Sequence, residues 1–398
     1  MKILQLCPKP PFPPVDGGCV AMNALTSGLL AHGHTVKVLA VSTKKHPVLS
    51  DKIPADYLKK TGLETVFIDT SLQVKKGLRN LFSKESYNVE RFYSPAFEAK
   101  LEELLQKEKY DVVQFESIFV APYLETVKRL SKTKTILRAH NVEHLIWERM
   151  AKQTSNPLKK WYLGFLAKRM RTYELSVIRH FDGIATITAE DKNYFTEKGI
   201  QTPIEILPLG IDSTQYKPAQ LKEVEFPSLF HLGSMDWMPN EEGIKWFLEK
   251  IWIEVHQNFP GLKLYLAGRN MPEWLATLEM EGVVIKGDVA NAHEFMRQKA
   301  IMVVPLLSGG GMRVKIIEGM ALGKVVVSTT IGAEGIDCTD GENILIADTP
   351  KQFVKQIGKC LNDKDYYSRL CTNARKQVLA NYDYSQIGGK LVGFYNTL

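Results

Sequence analysis

The stretch "VVPLLSGGGMRVKIIEGMALGKVVVST", Val303 to Thr329, decides how the chain is read. An apolar run ends in three consecutive glycines, and a helix-length segment carrying Arg313, Lys315 and Glu318 leads into a second apolar run. Unalternated Val/Ile/Leu runs joined by a helix describe parallel strands buried on both faces. In open sheets of that kind, ligands bind beyond the carboxyl ends of the strands, at loops that lead into helix N-termini. Gly309, Gly310 and Gly311 let the backbone approach a ligand, and a helix starting near Met312 turns its first N–H groups toward an anion. Arg313 and Lys315 add positive charge at the same mouth. Glu318 falls on the helix face that carries both; a carboxylate beside a phosphate needs hydrogen-bond donors, and ribose hydroxyls supply them. Ile316, Ile317 and Met320 point elsewhere and can pack on the sheet. The stretch reads as a nucleotide-diphosphate site.

The same alternation extends along the chain. "KILQL", "TVKVLAV", "VVQFE", "TILRAH" and "GIATIT" are strand candidates in the first half, and "SLFHLGS", "LKLYLAG", "VVIKG", "IMVVPL" and "KVVVST" in the second. With 398 residues, the chain suits two domains of roughly 200 residues each. The break is expected in "IEILPLGIDSTQYKPAQ", Ile204 to Gln220, where prolines and a glycine interrupt any periodic pattern. The fold class is therefore α/β, with two doubly wound domains: residues 1–205, and residues 206–383.

Composition narrows the function classes. A hydrophobic content of 44% with 24% charged residues is globular. Five scattered cysteines without a CxxC pair argue against a disulfide framework or a zinc knuckle, so a reducing cytoplasm fits. "MKILQLCPKPPFPP" is too short in apolar residues for a signal peptide, and no run suits a membrane-spanning helix. The net charge of +7 is uneven: residues 1 to 200 hold 31 Lys+Arg against 21 Asp+Glu, and residues 201 to 398 hold 20 against 23. A basic first half suits phosphate-bearing ligands, nucleic acid or an anionic membrane surface. "NPLKKWYLGFLAKRMRTYELSVIRHF", Asn156 to Phe181, interleaves Lys159, Lys160, Lys168, Arg169 and Arg171 with Trp161, Phe165, Leu166 and Met170. That pattern fits an interfacial amphipathic helix or a core helix with a basic outer face.

The two-domain layout and the glycine-rich stretch resemble the GT-B glycosyltransferases, specifically the retaining family 4 type. The resemblance implies two Rossmann-like domains facing across a cleft, with a C-terminal helix over 384–398 returning to the acceptor-binding first domain. It implies a nucleotide-sugar donor as substrate, no cofactor and no metal, a lipid-linked or saccharide acceptor, and no nucleic-acid partner. Transfer with retention, in polysaccharide or glycolipid biosynthesis, is the implied activity. Independently of the resemblance, the cysteine usage and the basic Asn156 to Phe181 segment suit a cytoplasmic protein with a peripheral contact to the inner membrane face. The family carries E-x7-E in this loop and helix; Glu318 matches the second glutamate, which binds ribose, while Gly310 stands at the first. The family's diphosphate-binding Arg and Lys after "HLGS" fall near Ser234 and Asn240, leaving Arg313 and Lys315 to supply the charge. "PPVDGGCVAM" resembles the glycine-rich first loop, with Gly17 and Gly18 near the donor phosphates. Gly233, Ser234 and Arg269, the last in "LYLAGR", join Gly309, Gly310, Gly311 and Met312 on the donor side. His140, at the end of "TILRAH", matches a histidine that approaches the reacting sugar and acceptor. A catalytically silent binding subunit, suggested by Gly310, and a nucleotide-sugar epimerase are the rival expectations.

Two further motifs carry little. "HNVEH", His140 to His144, fits a zinc-peptidase pattern that needs both histidines on one helix face, yet His140 follows a β-prone run. The D-x-D of "NDKDYY" sits after no strand and reads as a helix cap.

Overall fold

The computed structural model describes residues 1–71, 86–309 and 311–398; Gly310 lies outside the described residues. The chain divides into two units, one of Met1–Gly210 with Tyr384–Leu398 and one of Ile211–Asp383.

In the first unit, seven parallel strands lie in the order β3-β2-β1-β4-β5-β6-β7. They are β1 (Lys2–Cys7), β2 (Thr35–Ser42), β3 (Glu64–Phe67), β4 (Val112–Phe115), β5 (Lys134–Ala139), β6 (Gly183–Thr186) and β7 (Ile204–Ile206). The apolar runs are unalternated because both faces are covered. Leu4, Val113 and Leu137 enter one core, while their neighbours Ile3, Val112 and Ile136 enter another on the opposite face. The second core also takes Leu25 and Leu29 of the helix Gly17–Ala31 and Ile387 and Leu391 of the C-terminal helix Tyr384–Thr397. These helices touch at glycines: a Cβ on Gly388 would lie 2.6 Å from the backbone of Gly28.

The second unit has six parallel strands in the order β10-β9-β8-β11-β12-β13. They are β8 (Glu225–Leu232), β9 (Lys263–Ala267), β10 (Val283–Gly287), β11 (Lys299–Val304), β12 (Val325–Ser328) and β13 (Leu345–Ile346). Its core joins Leu229, Leu264, Ile301 and Val327 to Phe247, Phe353 and Leu370 of the covering helices.

Three expectations shift. Ile204–Ile206, read as the start of a connection, is strand β7: Ile184 pairs with Ile204, and the Leu207 N–H donates to the Thr186 carbonyl at 2.8 Å. The break consequently falls at 210/211 rather than 205/206. The helix after the glycines spans Val314–Ala321, with Arg313 at its N-cap, so it starts later than Met312. In the helix Pro157–Val177, Leu166 and Met170 are buried, whereas Trp161 points outward at 66% exposure. Asp363 does cap its helix, accepting from the Tyr366 N–H at 2.8 Å.

In both sheets the strand order reverses beside the first strand of the unit, between β1 and β4 and between β8 and β11. Loops diverge at such a point and leave a crevice at the carboxyl edge.

Candidate functional site

In the second unit the crevice is built by the turn after β8, the helix Met238–Phe247 and the loop after β11. Gly233, Ser234, Trp237, Asn240, Met312, Arg313, Val314 and Lys315 line a pocket of about 380 Å³. Gly309 and Gly311 hold φ of +124° and +78°, values that glycine adopts without steric cost. A Cβ on Gly309 would meet an Arg313 guanidinium nitrogen at 2.9 Å. Arg313 is 6% exposed, lies 5.2 Å from the Trp237 ring and donates to the Gly311 carbonyl. Instead of reaching forward from a first helical turn, it is folded under the glycine loop as part of the pocket wall.

Lys315 points into the same crevice. Its ammonium donates to Asn240 Oδ1 at 2.7 Å and lies 3.3 Å from His231 Nε2. Asn240 in turn donates to the Ser234 carbonyl at 2.8 Å. His231 Nδ1 is 2.9 Å from the Val303 carbonyl, so Nδ1 carries the proton and Nε2 accepts from the lysine. Burial, and then the Lys315 charge, hold His231 well below its ordinary pKa. Burial, reinforced by Arg313, pulls Lys315 down to about 7. A Cβ on Gly233 would crowd this group, lying 2.7 Å from Asn240 Nδ2 and 3.0 Å from Lys315 Nζ.

Glu318 takes partners other than those of Lys315. Its Oε1 accepts from the Tyr216 hydroxyl at 2.9 Å and lies 3.7 Å from His293 Nε2, with the Tyr216 and His293 rings 4.4 Å apart. Lys315 and Glu318, three residues apart in one helix, keep neighbouring positions but turn their side chains to different partners, while Arg313 stands outside the helix at its N-cap. Arg269 is exposed and Ser234 donates to Asp236 at 2.5 Å.

At the carboxyl edge of the first sheet, His140 follows β5 and places Nε2 3.2 Å from Oε2 of Glu116, which follows β4 and is fully buried. Glu116 also accepts from Gln5 at 2.8 Å and from Gln114, and Arg138 Nε lies 3.9 Å away. Burial opposes the Glu116 charge, but the bond to His140 and the Arg138 charge bring its pKa below the usual carboxylate value. Burial lowers the pKa of His140 despite Glu116. A neutral imidazole donating from Nε2 leaves Nδ1 as an acceptor. Gly17 and Gly18 open the helix Gly17–Ala31, which Asp16 caps by accepting from the Cys19 N–H at 2.9 Å. Lys9 holds Asp16 through both carboxylate oxygens at 2.7 Å. His144 is occupied otherwise, its ring nitrogens 2.6 Å from Glu174 Oε2 and 2.6 Å from the Tyr194 hydroxyl.

The sequence reading missed Glu116, Lys9, Trp237, His231, Tyr216 and His293. Glu116 had a signal, a carboxylate closing the buried run "VVQFE". Tyr216, in a connection without periodicity, had none.

The family model described as Glycosyltransferase Family 4 matches residues 15–215, about half of the chain, and that described as Glycosyl transferases group 1 matches residues 226–363. The chain belongs to glycosyltransferase family 4. A relative of this family 4 protein, an uncharacterised 44.6 kDa protein in the cps region of Klebsiella pneumoniae, is 23% identical over 396 residues, covering 97% of each chain. Among solved structures, Anabaena HepE in complex with UDP superposes with a TM-score of 0.69 at 13% identity, covering 100% of both chains. Sucrose-phosphate synthase from Thermosynechococcus elongatus superposes with a TM-score of 0.68 at 14% identity, covering 100% of the glycosyltransferase and 99% of the synthase. At such identities the likeness establishes the shared fold of two Rossmann-like domains, the GT-B architecture.

Proposed function

We propose that the chain transfers a sugar from a nucleotide-sugar donor to a hydroxyl of a saccharide or lipid-linked acceptor, with retention, in polysaccharide or glycolipid biosynthesis. The observation that carries the reading is the Lys315 ammonium, held by Asn240 at the wall of a pocket that Arg313 also lines. The family's usual cations are replaced by Ser234 and Asn240, and Lys315 brings the charge to Asn240 from the opposite side of the crevice. Structures of HepE with UDP and with UDP-glucose support a donor of this class.

In the proposed reaction the bond between the anomeric carbon and the diphosphate breaks while the acceptor oxygen bonds to that carbon from the same face. The acceptor's proton passes to a phosphate oxygen. Charge builds on the diphosphate, and a preorganised cation with loop amides stabilises it without solvent reorganisation. Lys315, Arg313 and the loop amides of Gly309 and Gly311 take that role, and no metal is required for it. Glu318, beside Tyr216 and His293, accepts from the ribose hydroxyls. His140, its orientation fixed by Glu116, contributes an Nδ1 acceptor to the reacting sugar and acceptor. Gly17 and Gly18, in the first turn of the helix Gly17–Ala31 rather than in the loop before it, offer their N–H groups to the phosphates.

The test is thermal shift with nucleoside diphosphates and the matching nucleosides, because a ligand that binds only the folded state raises the melting temperature. Stabilisation by a diphosphate but not by its nucleoside, lost in Lys315→Met, is the expected outcome. Mass spectrometry with the stabilising nucleotide's sugars then distinguishes transfer or donor hydrolysis from isomerisation. A protein indifferent to every nucleotide would end the proposal.

A further inference from the structure

The helix Pro157–Val177 outruns the core that it packs on. It lies against the helix Glu143–Gln153, and its buried positions are Leu163, Leu166, Ala167, Met170 and Glu174. Every residue from 155 to 162 is exposed, including Leu158 at 79%, Trp161 at 66% and Tyr162 at 37%. Met150, in the partner helix, is 44% exposed. Lone exposed apolar residues are ordinary; an aliphatic and two aromatic side chains within the first two turns of one helix are a patch.

The stretch that carries the patch has charge of one sign, and the carboxylates of the helix pair, Glu143, Glu148 and Glu174, lie outside it. From Arg149 to Arg171 the sequence holds seven Lys or Arg residues and no Asp or Glu. Lys152, Lys159, Lys160, Lys168 and Arg171 are exposed. Arg169 lies 4.3 Å from the Phe165 ring, which in turn stacks 6.1 Å from Trp161, so one cation is carried along the aromatic surface.

We propose that this helix pair docks the first unit on an anionic lipid surface, with Leu158 and Trp161 inserted at the headgroup boundary and the lysines on lipid phosphates. Long lysine stems let ammonium groups stay at headgroup level while their methylenes cover apolar surface. The absence of any carboxylate between Arg149 and Arg171 disfavours a second copy of the chain, since a symmetric contact would set like charges face to face. Leu158 has no π-face to offer a nucleobase. Among the described residues no helix is long and apolar enough to cross a membrane, so the contact is peripheral.

Vesicle co-sedimentation of the full chain tests this, using phosphatidylcholine alone and phosphatidylcholine mixed with phosphatidylglycerol. Binding is expected only with the anionic lipid and should weaken as salt rises. Changing Lys159, Lys160, Lys168 and Arg171 to Gln should lower partitioning by roughly two to three orders of magnitude. Leu158→Ser with Trp161→Ser should lower it by about ten-fold or more while leaving the salt dependence in place. All six positions are exposed, so circular dichroism and melting temperature should not change. Equal binding to both vesicles, no binding, or full binding by the four-glutamine variant overturns the proposal. Self-association without lipid that Leu158→Ser abolishes would also overturn it, in favour of a second copy. No readout depends on sugar transfer, so the docking can fail while the transferase reading stands.

Discussion

The Lys315 ammonium, pulled down to about 7 by burial and by Arg313, changes charge within the working pH range. A bound diphosphate favours the charged form, so the complex holds the proton to higher pH than the free protein does. Above about pH 7 binding must therefore take up a proton. Nucleoside diphosphate affinity should fall by up to about ten-fold per pH unit until the complex itself deprotonates. Calorimetric titration from neutral to alkaline pH checks this, and a Lys315→Met protein that keeps the full slope would exclude Lys315 as its source. Glu318→Gln preserves volume but loses charge-assisted bonds worth roughly 1.5–3 kcal/mol. Nucleoside diphosphate affinity should drop accordingly, while Tyr216→Phe, which removes only the neighbour's hydroxyl, should cost less. Unaltered affinity in Glu318→Gln would remove it from the ribose site. The residue types of this site were legible in the sequence; their directions were not. Starting the helix at Val314 rather than near Met312 makes Arg313 a cap folded on Trp237, and only the packed fold shows Lys315 turning to Asn240 and Glu318 to Tyr216.

At the level of elements, ten apolar runs announced ten strands because strands buried on both faces need no alternation. The three that escaped are short or at sheet edges. β3, "ETVF", is only partly buried, β7 lies inside a segment with connection-like prolines, and β13 has two residues. An edge strand needs one partner and little apolar surface, which leaves a weak trace in sequence. The contact between the helices Gly17–Ala31 and Tyr384–Thr397 was equally hidden, since glycine inside a helix ordinarily signals weakness. Here Gly28 and Gly388 buy close approach of two backbones. Gly388→Ala puts a methyl group where the Gly28 backbone lies, and should destabilise the first unit by about 1–3 kcal/mol. Chemical denaturation measures the loss. No loss would mean that the helices separate freely.

For the whole molecule, each unit has its own sheet and its own buried core. The proposed nucleotide pocket draws every lining residue from Ile211–Asp383. A nucleotide should therefore raise the melting of that unit more than that of the other, because stabilisation goes to the state that binds. Scanning calorimetry with and without nucleoside diphosphate checks this; a parallel shift of the whole endotherm would show that the units unfold as one. The charge asymmetry read from the sequence has its counterpart here, with the carboxylate-free stretch from Arg149 to Arg171 lying wholly in the first unit.

The return of the Tyr384–Thr397 helix to the first unit also sets an order of events during synthesis. That helix supplies Ile387, Leu391, Phe394 and Tyr395 to the core behind β1, and the Tyr395 hydroxyl bonds Gln114 in β4. Translation proceeds at roughly 5–20 residues per second. The first sheet must then wait on the order of ten seconds or more, while Ile211–Asp383 emerges, for the final turns that cover its apolar face. The contiguous second unit is complete before the one that precedes it. A ribosome that stops short of Tyr384 releases a chain whose lesion lies not where the message broke but at its beginning, in an N-terminal sheet left with bare apolar residues for a chaperone or protease to find.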